Sequence, residues 1–120
     1  MTSSTRTQSA GGILHVLLMD VQSERYDQIL RDTSSSLQRL SSKVEGLLRV
    51  DLYGTDDRTD LLLVSQWEDE HAWGRAQWDD DVQNFIVAQF TSARRVHSKL
   101  YRHIDFGDES PPAAPRPATG

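Results

Sequence analysis

From residue 12 to residue 105 the apolar side chains switch repeatedly between strand-like and helix-like spacing, and the order of those switches limits the fold more than any other property of the chain. The run GILHVLLMDV (residues 12–21) is short and apolar, with β-branched Ile13, Val16 and Val21, which favours a strand with two buried faces. After Ser23 the period lengthens: Tyr26, Ile29, Leu30, Thr33, Leu37, Leu40 and Val44 fall on one stripe of a helix, with Ser23 as its N-cap and Gly46 as its stop. Leu48, Val50 and Leu52 then alternate with Arg49, Asp51 and Tyr53, a half-buried strand that the turn residues GTDDR join to a second strand ending at Trp67. A helix is expected near Glu68, restarting at Asp79–Asp81, with Val82, Phe85, Ile86, Phe90 and Ala93 on its apolar stripe. In the last block Val96, Ser98, Leu100, Arg102 and Ile104 alternate with His97, Lys99, Tyr101 and His103, the pattern of a strand.

The order is β-α-β-β-α-β. In one small domain it predicts an α+β, ferredoxin-like fold, with an antiparallel sheet in the order 4-1-3-2 and both helices on one face. The other face would present Leu14, Val16 and Leu18 with Leu62 and Val64, too apolar to be left to water. A second copy of the sheet is the economical cover, so a homodimer enclosing a barrel is expected. The domain is placed at residues 12–106, between a polar tail at 1–11 and a tail at 107–120 that holds all four prolines.

Several classes of function are unsupported. With no cysteine, thiolate metal sites and cysteine nucleophiles are ruled out. A net charge of -5 without a basic stripe argues against nucleic acid, and no apolar run is long enough to span a membrane. The expectation is a cytoplasmic protein. There is no phosphate loop, dinucleotide fingerprint or metal-ligand spacing, so chemistry without a cofactor or metal is expected.

VEGLLRVDLY (residues 44–53) followed by LLLVSQWEDEHAW (residues 61–73) resembles the antibiotic biosynthesis monooxygenase family of dimeric α+β barrels, across residues 12–105. The resemblance implies a homodimer and a pocket between sheet and helices. From the small oxygenase members of the family it also implies cofactor-free oxidation of aromatic polyketide anthrones to quinones. Other barrels of this kind are polyketide cyclases, haem-degrading enzymes or proteins without known chemistry. Carried over, Trp67 lines the pocket, with Leu61, Leu63 and Ser65 on its face of the strand, and Trp73 stands where a tyrosine is common. Two positions depart from the pattern: Leu63 replaces an asparagine thought to hold the substrate carbonyl, and Gln77 replaces the histidine of the haem-degrading relatives.

Trp67 and Trp73 are therefore candidate aromatic walls for a flat substrate, although both also suit a plain core. His15 interrupts an apolar strand and is the candidate base; Tyr101 or Asp51 would orient the substrate or serve beside it. His97 and His103 would join that group if their face of the last strand turns inward; otherwise they are exposed edge residues. Arg49, Asp51 and Tyr53 are placed at the pocket mouth, with Arg49 as an anion holder, against the alternative of a surface ion pair. The triad Asp79–Asp81 reads as a helix cap. Three functions stay open: an aromatic monooxygenase, a cyclase or isomerase, and a non-catalytic small-molecule-binding protein.

Overall fold

A computed structural model describes residues 12–105; the tails assigned to 1–11 and 107–120 lie outside the described residues. Strand β1 (Ile13–Asp20) leads through a 3-10 turn (Ser23–Arg25) into helix α1 (Tyr26–Ser41). Strands β2 (Leu47–Gly54) and β3 (Asp60–Trp67) form a hairpin, and helices α2 (Glu70–Ala76) and α3 (Asp80–Ser92) return the chain to strand β4 (Arg95–Arg102). All pairings are antiparallel, in the order β2-β3-β1-β4, which is the 4-1-3-2 order of a ferredoxin-like fold. Among the described residues no helix is long and apolar enough to cross a membrane.

Side chains directly opposite in an antiparallel pair share a face, so the register decides what lies under the helices. His15 pairs with Ser65, Leu17 with Leu63 and Met19 with Leu61, and all six point to the helix layer. Two apolar clusters form there. Leu17, Met19, Val21, Tyr26, Ile29, Leu61 and Leu63 make one, and Ile13, Leu40, Trp67, Ala72, Ala76 and Val82 the other. Phe85 packs against both. Each fully buried aliphatic or aromatic side chain here contributes roughly 1.5–3 kcal/mol. A hydrogen bond from Thr33 Oγ1 to Gln89 Oε1 (3.2 Å), buried between α1 and α3, pins the two helices to one another.

The helix starts follow local chemistry. Asp69 Oδ1 accepts from the amide of Ala72 at 2.8 Å, and Asp79 Oδ1 accepts from those of Asp81 and Val82 at 2.9 and 3.1 Å, so the acidic run caps a helix. Ser23 does not act as the expected N-cap: it opens the 3-10 turn, and no side chain caps α1. That helix also ends at Ser41, before Gly46. Gly46 instead sits at φ 85° in the turn into β2, where a Cβ would stand 2.4 Å from the Ala72 Cβ. Its missing side chain lets α2 lie against the start of β2.

Strand β2 departs from simple alternation. A bulge between Leu47 and Arg49 places Leu47, rather than Leu48, toward the helices together with Val50 and Leu52. Leu48 is left 43% exposed.

Candidate active site

Between the two clusters, under α1 and α3, lies a cavity of about 340 Å³, within the usual range for small-molecule sites. Its floor is the inward face of the sheet: His15 and Leu17 from β1, Leu63, Ser65 and Trp67 from β3, and Ser98 from β4. Leu37 and Leu40 of α1, with Phe85, Ile86 and Phe90 of α3, supply apolar walls. None of the lining residues carries an aspartate, glutamate, lysine or arginine side chain.

Trp67 is both core and wall. Its side chain is buried among Ala72, Ala76 and Val82, and its indole edge is held by a 3.0 Å hydrogen bond from Nε1–H to Ser65 Oγ. Ser65 in turn donates to the His15 carbonyl at 3.4 Å. Trp73, half-buried in the middle of α2, lies with its ring centroid 5.7 Å from that of His15 and the planes tilted by 42°. The three tryptophans of the chain, all within residues 67–78, thus divide: Trp67 and Trp73 face the cavity, whereas Trp78 is 82% exposed.

His15 points into the cavity, its Nε2 lying 2.7 Å from Ser98 Oγ. Burial holds the imidazole below its ordinary pKa, because the charged form loses more solvation than the neutral one. At neutral pH it is an uncharged imidazole in an apolar wall, a group able to accept a proton.

The other sequence-chosen residues do not join it. Asp51 pairs with Val64, Arg49 with Gln66 and Tyr53 with Leu62, all on the open side of the sheet, because Val50 and Leu52 take the inward places opposite Ser65 and Leu63. Arg49 Nε donates to Asp51 Oδ2 at 2.8 Å, a surface ion pair rather than a pocket mouth. Tyr101 pairs with Leu14 and His97 with Leu18, so both also lie on the open face; His103 follows the end of β4 and is exposed. A group of His15, Tyr101 and Asp51 is not formed within the protomer. Ser98, by contrast, was missed as a site residue. Its signal was legible, since it alternates with Val96 and Leu100 on the more apolar side of the last strand. Gln77, noted only as a mismatch, also lines the cavity.

The model of the antibiotic biosynthesis monooxygenase family matches residues 12–88, well over half of the chain. The chain belongs to that family. No curated protein matches this family member in sequence. Solved structures do match in shape. A conserved protein from Methanosarcina mazei Go1 is 20% identical, with a TM-score of 0.73, the match covering 82% of this chain and 99% of the other. SnoaB, a cofactor-independent oxygenase from Streptomyces nogalater, is 15% identical with a TM-score of 0.61, covering 87% of this chain and 100% of its own. A dimeric ferredoxin-like protein of unknown function from Jannaschia sp. CCS1 is 14% identical with a TM-score of 0.67, covering 77% and 99%. At such identities the likeness establishes the fold that this family member shares with them, and the chemistry has to come from the cavity.

Proposed function

We propose that this protein is a cofactor-independent monooxygenase that converts an uncharged, electron-rich aromatic metabolite of polyketide type, an anthrone-like methylene, to the quinone. The observation that carries the proposal is a neutral, partly desolvated His15 set in a largely apolar cavity without a charged carboxylate or amine, its ring against Trp73 and with Trp67 in the same lining. Family membership and the shape shared with a cofactor-independent oxygenase support it.

The substrate ring would stack against Trp73 and Trp67, and His15 would remove an acidic C–H or phenolic proton. The resulting carbanion is electron-rich enough to reduce dioxygen itself. One-electron transfer and recombination form a C–O bond and a peroxide anion, which takes the proton back from His15. Loss of the second C–H proton and of hydroxide from the hydroperoxide leaves a carbonyl and water. The sum is CH₂ + O₂ → C=O + H₂O, with His15 unchanged. The protein's part is orientation, exclusion of water and one base. A carboxylated or phosphorylated substrate would bring a charge into a wall with no counter-ion, at a cost of several kcal/mol.

Dimerisation belongs to the same proposal. Leu14 and Leu18 are each 38% exposed on the open sheet face, and a second sheet laid on it would cover them. The dimeric Jannaschia structure supports this assembly.

The test is oxygen uptake by purified, chelator-treated protein supplied with a tricyclic anthrone, with the quinone followed by absorbance. His15→Phe is expected to lose roughly 100-fold or more of the catalysed rate. Uptake no faster than in buffer, or an unchanged rate in that variant, refutes the proposal. A second reading, a cyclase, is favoured by Leu63, a buried apolar wall where the oxygenase pattern has asparagine. It requires product under strict anaerobiosis, where an oxygenase yields none. Saturable tryptophan quenching with no turnover would instead mark a binding protein.

A further inference from the structure

The imidazole of His15 has two nitrogens, and one of them is already engaged. Nε2 lies 2.7 Å from the hydroxyl of Ser98, a residue of β4 that pairs with Leu17 and lines the cavity floor. β4 is the edge strand of the sheet, and Ser98 is exposed there, so its hydroxyl has the imidazole on one side and solvent on the other. Among the described residues no other side chain is hydrogen-bonded to the ring. Its direct partners across the sheet are Leu100 and Ser65, and the Ser65 hydroxyl is taken up by the Trp67 indole and the His15 carbonyl. Trp73 meets the ring with its own ring rather than with a polar atom.

A base needs a bare lone pair, and a hydroxyl can either donate or accept. If Ser98 donated to Nε2, the single proton of the neutral ring would sit on Nδ1 and neither nitrogen could take a proton from substrate. If Ser98 accepts from Nε2–H, Nδ1 is bare. We propose that Ser98 is a positioning residue for His15: its hydroxyl accepts from Nε2–H, holds the Nε2–H tautomer and leaves Nδ1 as the nitrogen that takes and returns the proton. The inference rests on the assignment of His15 as the base. While the ring carries the substrate proton it is an imidazolium, and the Nε2–H bond to Ser98 becomes charge-assisted and stronger. Ser98 then donates its own hydrogen outward to water, the direction its exposure allows. No proton leaves through it; the one that Nδ1 receives goes back to the peroxide.

The experiment uses the full chain with ¹⁵N-labelled histidine. Long-range ¹H–¹⁵N correlations at pH 8 report the His15 tautomer without substrate, while anthrone oxidation reports kcat and KM separately. Wild type is expected as the Nε2–H tautomer. Ser98→Ala is expected to lower kcat by roughly 10- to 100-fold with KM little changed, as the ring loses its fixed orientation. Ser98→Thr, which keeps the hydroxyl, is expected to restore most of the rate. An Nδ1–H tautomer in wild type overturns the inference, whether or not the anthrone is turned over. So does Ser98→Ala at full kcat beside an inactive His15→Phe, a result that leaves the base assignment standing. Full activity in His15→Phe removes the base assignment itself, and the role of Ser98 with it.

Discussion

Replacing Ser65 by alanine tests whether the Trp67 end of the cavity floor is a dry, preorganised surface. The Ser65 hydroxyl accepts the Trp67 Nε1–H at 3.0 Å, and Trp67 is only 6% exposed. Without the hydroxyl a buried indole N–H has no partner, which costs about 1–3 kcal/mol. The 3.4 Å bond to the His15 carbonyl is long and adds little. An overall loss of about 2 kcal/mol is expected, against the 5–15 kcal/mol that holds a typical domain together. For a domain of this size that lowers Tm by roughly 10 °C. Trp67→Phe removes the donor, at its own cost in lost packing. In that background Ser65→Ala should therefore be milder by about 1 kcal/mol, a coupling that a double-mutant cycle measures directly. Urea unfolding followed by near-UV circular dichroism gives all four corners. If Ser65→Ala unfolds within about 0.5 kcal/mol of wild type and the coupling vanishes, water reaches the indole in place of the serine. That end of the floor is then wet, and the preorganisation argued for Trp67 fails with it.

Three further outcomes are expected. Because His15 is held below 6.5 by burial, the unfolded chain takes up its proton first. Its share of stability is therefore complete above pH 6.5, is lost as pH falls below that value, and levels off once the native imidazole also protonates. His15→Leu should lack this part of the pH dependence when urea midpoints are compared between pH 8 and 5; identical slopes in the two proteins refute it. Gly46→Ala forces a side chain into a left-handed backbone and against the Ala72 Cβ, a loss of about 2–4 kcal/mol that thermal unfolding would show, and a neutral result would mean that α2 shifts freely. Thr33→Val strands the Gln89 side chain between α1 and α3 and should cost about 1–3 kcal/mol in urea, whereas a silent change would place water at that contact.

The element order and the acidic cap at Asp79 were legible because they depend on short-range rules, and the sheet order then followed from the handedness of crossovers. Strand alternation, helical spacing and carboxylates ahead of free amides act within a few residues. Trp67 with Leu63 and Ser65 could be placed on one face for the same reason. What failed was parity across strands. The bulge between Leu47 and Arg49 adds a residue to one side of a pairing, and that shift is set by what β3 and the helices require. With it Arg49, Asp51 and Tyr53 turned to the open face, leaving a surface pair where a pocket mouth was expected. Tyr101 failed similarly. Val96 and Leu100 are the apolar members of the last strand and belong under the helices, so Tyr101 and His97 take the other side.

The chain by itself determined that this would be a ferredoxin-like domain, with aromatic residues at the end of the third strand and one histidine inside an apolar strand. Those are properties of residue type and period, and they survive any detail of packing. Only the tertiary structure decided which groups meet. It set His15 beside Ser98, a residue 83 positions away, and near Trp73, and it hung the Trp67 indole on Ser65. It also left a cavity whose lining carries no aspartate, glutamate, lysine or arginine side chain. Contacts at that sequence separation follow from register and from the fit of helices onto a sheet, which no local pattern encodes.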